Sequence, residues 1–292
     1  MTATQHSLIP RPSDETRLHL YLAWGCPFCH RVLAALELAG LTEHVSTTWV
    51  LNIKGATGWE ISPGHDPLFG ELNINGVYQQ LEPDIEHVPS VPLLVDLSSK
   101  TLLSTSSSQM TRFFSHGMNG AYAVKRDLCP VSLIEEIDSM NTWLHANINR
   151  AVYLAGFANE RADYEGRVMK LFQSLDKLEA RLCASPYLLG TKLTESDLYL
   201  LATLVRFDSV YYPLFRCSVR RIDDYVALSD YLARLRSING SADTYDHALI
   251  REHYFCSTMH VNGKIRDLTH SRLIPMDLCA YHHAIIETAP QS

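Results

Sequence analysis

Two cysteines three positions apart give this chain its clearest capacity for chemistry. They lie in the stretch Cys26-Pro27-Phe28-Cys29-His30-Arg31. The thiolate, not the thiol, is the nucleophile, and a Cys-x-x-Cys motif, a helix N-terminus or a nearby cation each favours the thiolate. The stretch therefore predicts redox or thiol-transfer chemistry with Cys26 as the attacking sulfur.

The flanking elements place this motif where a strand gives way to a helix. The short apolar and aromatic run 18–24 predicts a buried strand, and Gly25 breaks it. Apolar residues then recur at helical spacing over 32–39, and Gly40 provides a stop. Pro27 fits the first helical turn, where its missing N–H costs nothing. The unpaired N–H groups and partial positive charge of a helix N-terminus favour a thiolate at this junction.

Three other interpretations of the motif remain open. Cys-x-x-Cys-His also attaches c-type haem, but attachment needs export, and the start of the sequence carries no signal-peptide pattern. A zinc half-site needs a second Cys/His pair at matching spacing, whereas the remaining cysteines are scattered singly, so no metal is predicted. Two small buried cysteines would simply fill core. The scattered cysteines are Cys129, Cys183, Cys217, Cys256 and Cys279.

Length and composition restrict the class of protein. With 292 residues, 46% hydrophobic and 20% charged, the chain can form two globular domains with a large core. No apolar run approaches the ~20 residues of a membrane span. A net charge of -7 without a basic cluster argues against nucleic acid as a partner. Cysteines without a framework of spacings, and the lack of a signal-peptide pattern, predict a cytoplasmic location.

The N-terminal part has the pattern of an α/β domain. A β-branched and aromatic segment, 45–51, predicts a second strand and completes a β-α-β unit. Val91-Pro92 opens a third strand over 93–96, and a turn leads to a fourth run at 101–103. Residues 54–89, which include several Gly and Pro, are predicted as a long loop, and loops of this length are usually either functional or disordered.

Ligand-binding candidates in this domain follow from the same pattern. Residues 104–108 supply several N-caps for a helix that contains Met110, and a helix N-terminus also binds carboxylates. Ser106 and Ser107 are therefore candidates to hold an acidic ligand end, although plain capping explains them as well. Trp59 in the long loop is a candidate for ligand contact or for packing beneath the loop.

From Pro130 onwards the apolar spacing is helical. Thr194-Glu195-Ser196-Asp197 has a capping-box-like start for one of these helices. We place the domain boundary between 117 and 130, and predict an α/β domain over 1–120 and an all-α domain with a C-terminal extension over 121–292. Other predicted helices carry apolar stripes at Leu133, Ile134, Ile137, Met140 and Leu144, at Val168, Leu171, Phe172, Leu175, Leu178 and Leu182, and at Leu228, Leu232 and Leu235.

A thioredoxin-like thiol domain followed by an all-helical domain resembles the glutathione transferases. Within that fold the chain is similar to the glutathionyl-hydroquinone reductases, also called xi-class glutathione transferases. The matching stretches are Cys26-Pro27 with His30-Arg31, Gly58-Trp59, Asp66-Pro67-Leu68-Phe69-Gly70, Val91-Pro92, Val152-Tyr153-Leu154-Ala155-Gly156-Phe157, Tyr187-Leu188-Leu189-Gly190, Leu204-Val205-Arg206-Phe207-Asp208 with Val210-Tyr211, Arg220-Arg221-Ile222 with Asp224-Tyr225, and His253-Tyr254.

The resemblance implies an enzyme that removes glutathione from an aromatic, hydroquinone-type conjugate. The Cys26 thiolate attacks the sulfur of the conjugate, hydroquinone leaves, and a second glutathione displaces the mixed disulfide. The resemblance also implies glutathione as co-substrate and a homodimer. Residues that bind glutathione are implied to be Trp59, Val91, Pro92, Ser106 and Ser107, and phenols around the aromatic substrate Tyr153, Tyr211 and Tyr254, the last two with a catalytic role.

Three departures from the family pattern bear on this function. Cys29 stands where the family usually has Ala, which creates a dithiol that can resolve a mixed disulfide without a second small thiol. Val88 stands where an Arg is expected, and Ser106 where a Glu is expected. Each lost charge-assisted hydrogen bond is worth roughly 1.5–3 kcal/mol. We therefore expect weak binding of ordinary glutathione, or a different low-molecular-weight thiol as co-substrate.

Three functional hypotheses follow. The first is a reductase that removes glutathione or another small thiol from aromatic conjugates through Cys26. The second is a dithiol oxidoreductase that uses both Cys26 and Cys29. The third is a non-catalytic protein that binds an aromatic ligand or a protein partner in the same fold.

Overall fold

Strand β1 (Leu18–Leu22) lies inside a four-stranded sheet with the order β2-β1-β3-β4 in this computed structural model. The structure describes residues 9–55, 58–84, 88–257, 259–261 and 264–266. β1 pairs in parallel with β2 (Val45–Trp49) and antiparallel with β3 (Leu93–Asp96), which pairs antiparallel with β4 (Thr101–Ser104). All five residues of β1 are buried, as expected for a strand covered on both faces. The predicted β-α-β unit is confirmed.

Helix α1 (Pro27–Ala39) begins and ends where the sequence predicts. Cys26 is its N-cap in extended conformation, and Pro27 is its first residue. Gly40 ends the helix with a φ of 75°, and its N–H donates to the last turn, the usual left-handed glycine stop. The preceding strand is shorter than predicted and ends at Leu22 instead of Trp24.

The segment after β2 is not the continuous loop that the sequence predicts. It contains helix α2 (Ile74–Leu81), whose N-cap Asn73 accepts a hydrogen bond from the Gly76 N–H at 2.9 Å. The prediction was wrong here because Asn-Ile-Asn-Gly, at the start of this eight-residue helix, has the composition of a turn: two asparagines and a glycine.

Asp66 organises the part of this segment that precedes α2. Its carboxylate accepts hydrogen bonds from the Tyr21 hydroxyl of β1 at 2.5 Å and from the backbone N–H groups of Leu68, Phe69 and Glu71. Burial alone would raise the pKa of Asp66, but these hydrogen bonds outweigh it and lower the pKa below its ordinary value. The turn around Asp66 is thus tied to the central strand.

Helix α3 (Ser107–Ser115) follows β4 directly. Its N-cap is Ser106, whose hydroxyl accepts from the Gln109 N–H at 3.4 Å. The N-cap predicted among residues 104–108 is therefore Ser106. A short turn, α4 (Gly117–Gly120), comes next and has left-handed backbone at Met118 and Asn119.

The chain divides into two compact units, Met1–Cys129 and Pro130–Ser292. In the second unit, helix α8 (Glu195–Arg206) is buried along its whole length, and its capping box joins the Thr194 and Asp197 side chains to each other's backbone, as predicted. The helices of this unit are α5 (Ile134–Leu144), α6 (Ala151–Gly156), α7 (Arg161–Ala184), α8 (Glu195–Arg206), α9 (Val226–Arg236) and α10 (His247–Cys256).

Two π-helical turns interrupt this helical unit. One, His145–Asn149, lies between α5 and α6, and the other, Phe207–Tyr211, follows α8. The Asn149 amide joins the first turn to α8 by donating to the Tyr199 carbonyl and the Thr203 hydroxyl, both at 2.8 Å. Such turns often occur at functional sites because the extra residue redirects the side chains that follow.

The last described residues form a two-stranded antiparallel pair, β5 (Met259–Val261) and β6 (Lys264–Arg266). Cys279 and the rest of the predicted C-terminal extension lie outside the described residues. Within the described ranges, no helix combines the length and the apolar character needed to cross a membrane.

Replacement of Asp66 should lower the free energy of unfolding by an amount that depends on pH. Because the folded-state pKa of Asp66 is lowered, its ionised form stabilises the fold above the ordinary carboxyl pKa of about 4, and this stabilisation disappears as the pH falls through the folded-state value. We expect Asp66→Asn to lower the free energy of unfolding by about 2–4 kcal/mol at pH 7, measured by urea denaturation, and by less as the pH is lowered.

Asp14→Asn is the matched control, since Asp14 is exposed in the same unit and its loss should change the free energy of unfolding by less than about 0.5 kcal/mol. An Asp66→Asn deficit that is equal at pH 7 and at pH 3 would contradict this account.

Candidate active site

The Cys26 sulfur lies at the N-terminus of α1 and is partly exposed. It accepts a hydrogen bond from the Cys29 backbone N–H at 3.4 Å, and its thiol lies 3.6 Å from the Val91 carbonyl oxygen. The backbone N–H of Cys26 donates to Ala23 at 3.2 Å, which fixes the turn between β1 and the helix. A sulfur with an N–H donor at a helix N-terminus is favoured in its ionised form.

Cys29 lies one helical turn further on and is only 1% exposed. Its sulfur accepts a hydrogen bond from the Ala23 N–H at 3.4 Å. The six described cysteines, Cys26, Cys29, Cys129, Cys183, Cys217 and Cys256, all carry thiols. Cys26 is therefore the accessible member of the Cys-x-x-Cys pair, and Cys29 is buried.

The candidate thiol-binding residues of the first unit lie on three segments. Trp59, on the segment after β2, is buried, and its carbonyl accepts from Ile74 N–H at 2.9 Å. Val91 and Pro92 are joined by a cis peptide bond just before β3. Ser106 and Ser107 form the N-cap and first residue of α3. The structure brings Val91 to Cys26 directly, through the carbonyl contact described above.

A hydrogen bond from an arginine of α1 joins that helix to the N-terminus of α3. Arg31 on α1 is buried, and its Nη2 donates to the Ser107 hydroxyl at 2.5 Å. The Arg31 guanidinium also lies over the Phe28 ring, 5.1 Å from its centroid. Ser107 therefore adjoins a guanidinium as well as a helix N-terminus, and both favour a carboxylate at this position.

Val88 and Ser106, the two positions where the resemblance predicts a charged residue, supply no charge in this unit. Val88 is 81% exposed, so the side chain that replaces the expected Arg has no packing role that would explain it. Ser106 uses its hydroxyl to cap α3 and also lies 2.9 Å from the Ser108 hydroxyl. Neither side chain can make the charge-assisted hydrogen bond of the residue that it replaces.

Lys54 is a residue that sequence reasoning missed. Its ammonium lies over the Trp59 ring, 5.3 Å from the centroid. Burial lowers the pKa of Lys54, while the charge on Cys26 acts in the opposite direction. The order of the strands could have indicated Lys54. It follows β2 as Cys26 follows β1, and parallel strands end at the same edge of a sheet.

Three tyrosines of the second unit, Tyr153, Tyr211 and Tyr254, form a hydroxyl triangle, here called the tyrosine triangle. The hydroxyl oxygens of Tyr153 and Tyr254 are 2.5 Å apart, those of Tyr211 and Tyr254 3.2 Å, and those of Tyr153 and Tyr211 3.4 Å. Tyr211 and Tyr254 are buried, whereas Tyr153 is partly exposed. The structure thus brings together three residues that are far apart in the sequence.

Separate elements position the three phenols. Tyr153 lies on α6, Tyr211 ends the π-helical turn after α8, and Tyr254 lies on α10. The buried Phe215 ring packs against all of them, with centroid distances of 5.3, 5.2 and 5.9 Å to Tyr153, Tyr211 and Tyr254. These tilted and edge contacts are the geometry that aromatic rings prefer.

Burial keeps two phenols of the tyrosine triangle, Tyr153 and Tyr211, protonated. Burial, reinforced by the neighbouring phenols, raises the pKa of Tyr153 well above its ordinary value, and burial raises the pKa of Tyr211 in the same way. Three hydroxyls have three protons for three mutual contacts, so a proton is donated outward only when one contact opens. The Tyr153–Tyr211 contact is the longest and therefore the weakest.

A close approach between Gly156 and Phe215 holds the triangle's shared ring in place. A Cβ at position 156 would lie 2.5 Å from Phe215 Cγ, so only glycine permits this packing. Arg216 adds a second contact, because its Nη2 donates to the Gly156 carbonyl at 3.0 Å. The Arg216 backbone is left-handed with a φ of 59°, and its carbonyl accepts from the Tyr164 hydroxyl at 2.6 Å.

No group of three or more His, Cys, Asp or Glu side chains that could hold a metal ion occurs among the residues that the structure describes. The reactive groups among these residues are a pair of thiols with nearby cations in the first unit and the tyrosine triangle in the second.

The sequence is similar over most of its length to glutathionyl-hydroquinone reductases. It is 35% identical over 253 residues to PcpF of Sphingobium chlorophenolicum, covering 85% of this chain and 81% of that protein. It is 35% identical over 255 residues to YqjG of Escherichia coli (strain K12), covering 86% and 78%. Both relatives are glutathionyl-hydroquinone reductases. Residues 161–234 match the family model described as glutathione S-transferase, C-terminal domain.

Solved structures agree with this similarity. The xi-class glutathione S-transferase of Phanerochaete chrysosporium superposes with a TM-score of 0.81 at 35% identity, covering 88% of this chain and 92% of that one. The glutathione-bound structure of YqjG from Escherichia coli K-12 gives a TM-score of 0.79 at 34% identity, covering 88% and 87%. The predicted fold class, a thioredoxin-like α/β domain followed by an all-α domain, is confirmed.

Substitution of Gly156 should disturb the tyrosine triangle through Phe215. We expect Gly156→Ala to lower the free energy of unfolding by about 1–3 kcal/mol, because the added methyl group overlaps the Phe215 ring and displaces it. The near-ultraviolet circular dichroism of the tyrosines should change in the same variant. Urea denaturation measures the stability loss.

Gly166→Ala is the control, since a Cβ there meets no atom within 4 Å and lies within α7. It should leave the tyrosine signal unchanged and raise stability by up to about 1 kcal/mol. Equal effects of the two substitutions would show that the close packing at Gly156 is unimportant.

Proposed function

Because the chain belongs to the glutathionyl-hydroquinone reductase family of glutathione transferases and is an enzyme of that family, we propose that it removes glutathione, or another small thiol, from aromatic hydroquinone conjugates. The observation that carries the proposal is the partly exposed Cys26 sulfur at the N-terminus of α1, with the Cys29 N–H donating to it. That arrangement favours a thiolate nucleophile.

The proposed reaction has two thiol-exchange steps. The Cys26 thiolate attacks the conjugate's sulfur, an S–S bond forms, and the carbon–sulfur bond breaks. The electron pair of the broken bond remains on the aromatic carbon, which takes up one proton to give hydroquinone. A second thiolate, from free glutathione or another small thiol, then attacks the mixed disulfide, which releases the disulfide of the small thiol and regenerates Cys26.

The co-substrate is proposed to bind along the three segments around the thiol. Backbone groups at Val91 and Pro92, the buried Trp59, and the α3 N-terminus at Ser106 and Ser107 are the proposed contacts. A carboxylate suits the last position because helix N–H groups and the Arg31 guanidinium converge on Ser107. The exposed Val88 and the neutral Ser106 support either weak glutathione binding or a different thiol.

The tyrosine triangle is proposed to serve the aromatic part of the conjugate. Tyr153 and Tyr211 are neutral donors at physiological pH, since burial raises the pKa of each. One of them can bond a hydroquinone oxygen and deliver the proton that the aromatic carbon requires. Tyr153 is the proposed donor, in place of Tyr211 and Tyr254, to which the resemblance gave the catalytic role. Tyr153 and Tyr211 share the weakest contact, and of these two only Tyr153 has a partly exposed side chain.

A second candidate function rests on the Cys29 thiol. A Cys-x-x-Cys pair at the start of a helix can resolve a mixed disulfide internally, in which case the enzyme would reduce disulfides as a dithiol oxidoreductase. The Cys29 N–H donates to the Cys26 sulfur, which places the two residues on adjacent sides of one helical turn.

The test of the proposed reaction is the intact mass of the protein after exposure to a glutathionyl-hydroquinone. We expect the native chain to gain one glutathionyl group, to release hydroquinone, and to lose the adduct when glutathione is added. Cys26→Ser should form no adduct and release no hydroquinone. Hydroquinone release that persists in Cys26→Ser would refute the nucleophile and leave a binding protein as the better account.

Cys29→Ser separates the two candidate functions in the same experiment. The monothiol reaction predicts that this variant turns over at a rate within about threefold of the native rate, since Cys29 takes no part. The dithiol reaction predicts that Cys29→Ser accumulates the Cys26 adduct and stalls, while the native chain forms a Cys26–Cys29 disulfide.

Loss of the Tyr153 hydroxyl should slow the step that needs a proton. We expect Tyr153→Phe to form the Cys26 adduct about 10²-fold more slowly in a single turnover, within the range for loss of a general acid. Tyr212→Phe is the control, because Tyr212 lies beside the Arg221 guanidinium outside the triangle, and the ring that makes this contact is retained. An unchanged single-turnover rate in Tyr153→Phe would remove Tyr153 from the mechanism.

A further inference from the structure

Cys26 and Lys54 leave the sheet at the same edge. β1 and β2 are parallel, with Leu22 opposite Trp49 at their carboxyl ends, and the Val50 N–H donates to the Leu22 carbonyl at 2.9 Å. The chain reaches Cys26 soon after β1 and Lys54 soon after β2. Because the carboxyl ends of parallel strands coincide, both side chains belong to one rim of the first unit.

Lys54 is held at this rim by its aromatic neighbour. Its ammonium lies over the Trp59 ring at 5.3 Å, and Trp59 is buried and anchored by the Ile74 N–H. Just beyond Lys54, the Gly58 N–H donates to the Gly55 carbonyl at 3.2 Å. The ammonium is therefore restricted to a small region of space, and a cation–π contact of this kind keeps it partly desolvated.

We propose that Lys54 is a positioning residue for the nucleophile. The positive charge of its ammonium group stabilises the Cys26 thiolate and so tunes the reactivity of the sulfur. The inference rests on the proposed role of Cys26 and assigns a function to a residue outside the resemblance to the family. Chemically, Lys54 keeps its proton while the Cys26 thiol gives its own to solvent, so an ammonium–thiolate pair replaces an ammonium–thiol pair.

The electrostatics of Lys54 agree with this pairing. Burial lowers the pKa of Lys54, and the Cys26 charge raises it. Coupling between two titrating groups is reciprocal, so a thiolate that holds a proton on Lys54 is itself favoured by that proton to the same extent. The interaction is stronger than it would be in bulk water because the ammonium is partly buried.

Other titratable groups surround the start of α1. On the helix itself these are Cys29, His30 and Arg31, and the Arg31 guanidinium is directed to the Ser107 hydroxyl. From α2 comes Tyr78, where burial raises the pKa to about 12 so that the phenol is neutral at physiological pH. The segment before β3 contributes the uncharged Val91 carbonyl, 3.6 Å from the Cys26 sulfur. Lys54 is thus a cation brought to the thiol from a different element.

The test is the pH dependence of Cys26 alkylation by iodoacetamide at low salt, followed by peptide mass spectrometry so that the other thiols are distinguished. We expect Lys54→Met to react about three- to tenfold more slowly than the native chain near pH ~6.5, equivalent to a rise of ~0.5–1 in the thiol pKa. The difference in rate between the two proteins should vanish at high pH, where Cys26 is ionised in both of them. It should also become smaller as salt is added. Lys54→Arg should restore most of the rate.

Lys100→Met is the matched control, since the Lys100 ammonium lies over the Phe69 ring at 5.5 Å and its loss removes the same charge and the same type of contact elsewhere in this unit. It should leave the profile unchanged. Superimposable profiles for Lys54→Met and the native chain would overturn the inference, as would a loss of rate that is equal at every pH, because that result indicates a structural role.

Alkylation needs no conjugate, so this inference and the proposed function fail separately. A native chain that forms no glutathionyl adduct but shows the Lys54-dependent profile would refute the reductase and retain the charge pairing. A native chain that forms the adduct while Lys54→Met keeps the native profile would refute the pairing alone.

Discussion

The parallel pairing of β1 with β2 is the constraint on which the thiol site depends. It places the ends of both strands at one edge, so that the turn after β1 delivers Cys26 to the N-terminus of α1 and the segment after β2 delivers Lys54 and Trp59. The pairing is supported on the buried side by the Asp66 hydrogen bonds to Tyr21 and to its own turn. A sulfur, a helix N-terminus and a cation are thereby assembled by backbone geometry before any ligand contributes.

In the proposed reaction, this arrangement also separates the reactivity of the Cys26 sulfur from recognition of the small thiol. The positions where the resemblance implies an Arg and a Glu, here Val88 and Ser106, are proposed to concern the charged ends of the small thiol. The Cys26 sulfur has its own N–H donor at a helix N-terminus. The two requirements involve different residues, so recognition of the thiol can change while nucleophilicity is maintained. At α3, Arg31 and Ser107 are the residues proposed to hold a carboxylate.

Elements set by local signals were predictable from the sequence, and those set by distant contacts were not. The bounds of α1 follow from Cys26, Pro27 and Gly40, and the start of α8 from its capping box, because each signal lies within one turn of the helix end. Helix α2 was missed since its Asn-Ile-Asn-Gly start has turn composition. The members of the tyrosine triangle are predicted only through the family resemblance, because residues 153, 211 and 254 share no local pattern. Lys54 is not among the predicted residues, although the direction of the strands indicates it.

The tyrosine triangle shows why a buried polar cluster depends on such distant contacts. A π-helical turn ends at Tyr211, so the extra residue in that turn sets the direction of the phenol, and the Phe215 ring contacts all three tyrosines while it lies against Gly156. Three phenols satisfy one another with no proton to spare, which removes the cost of burying them. A ligand oxygen that accepts from one phenol must therefore replace an internal contact of similar strength. The exchange is nearly balanced, so the cluster can turn a donor outward without an unsatisfied hydroxyl remaining in the core.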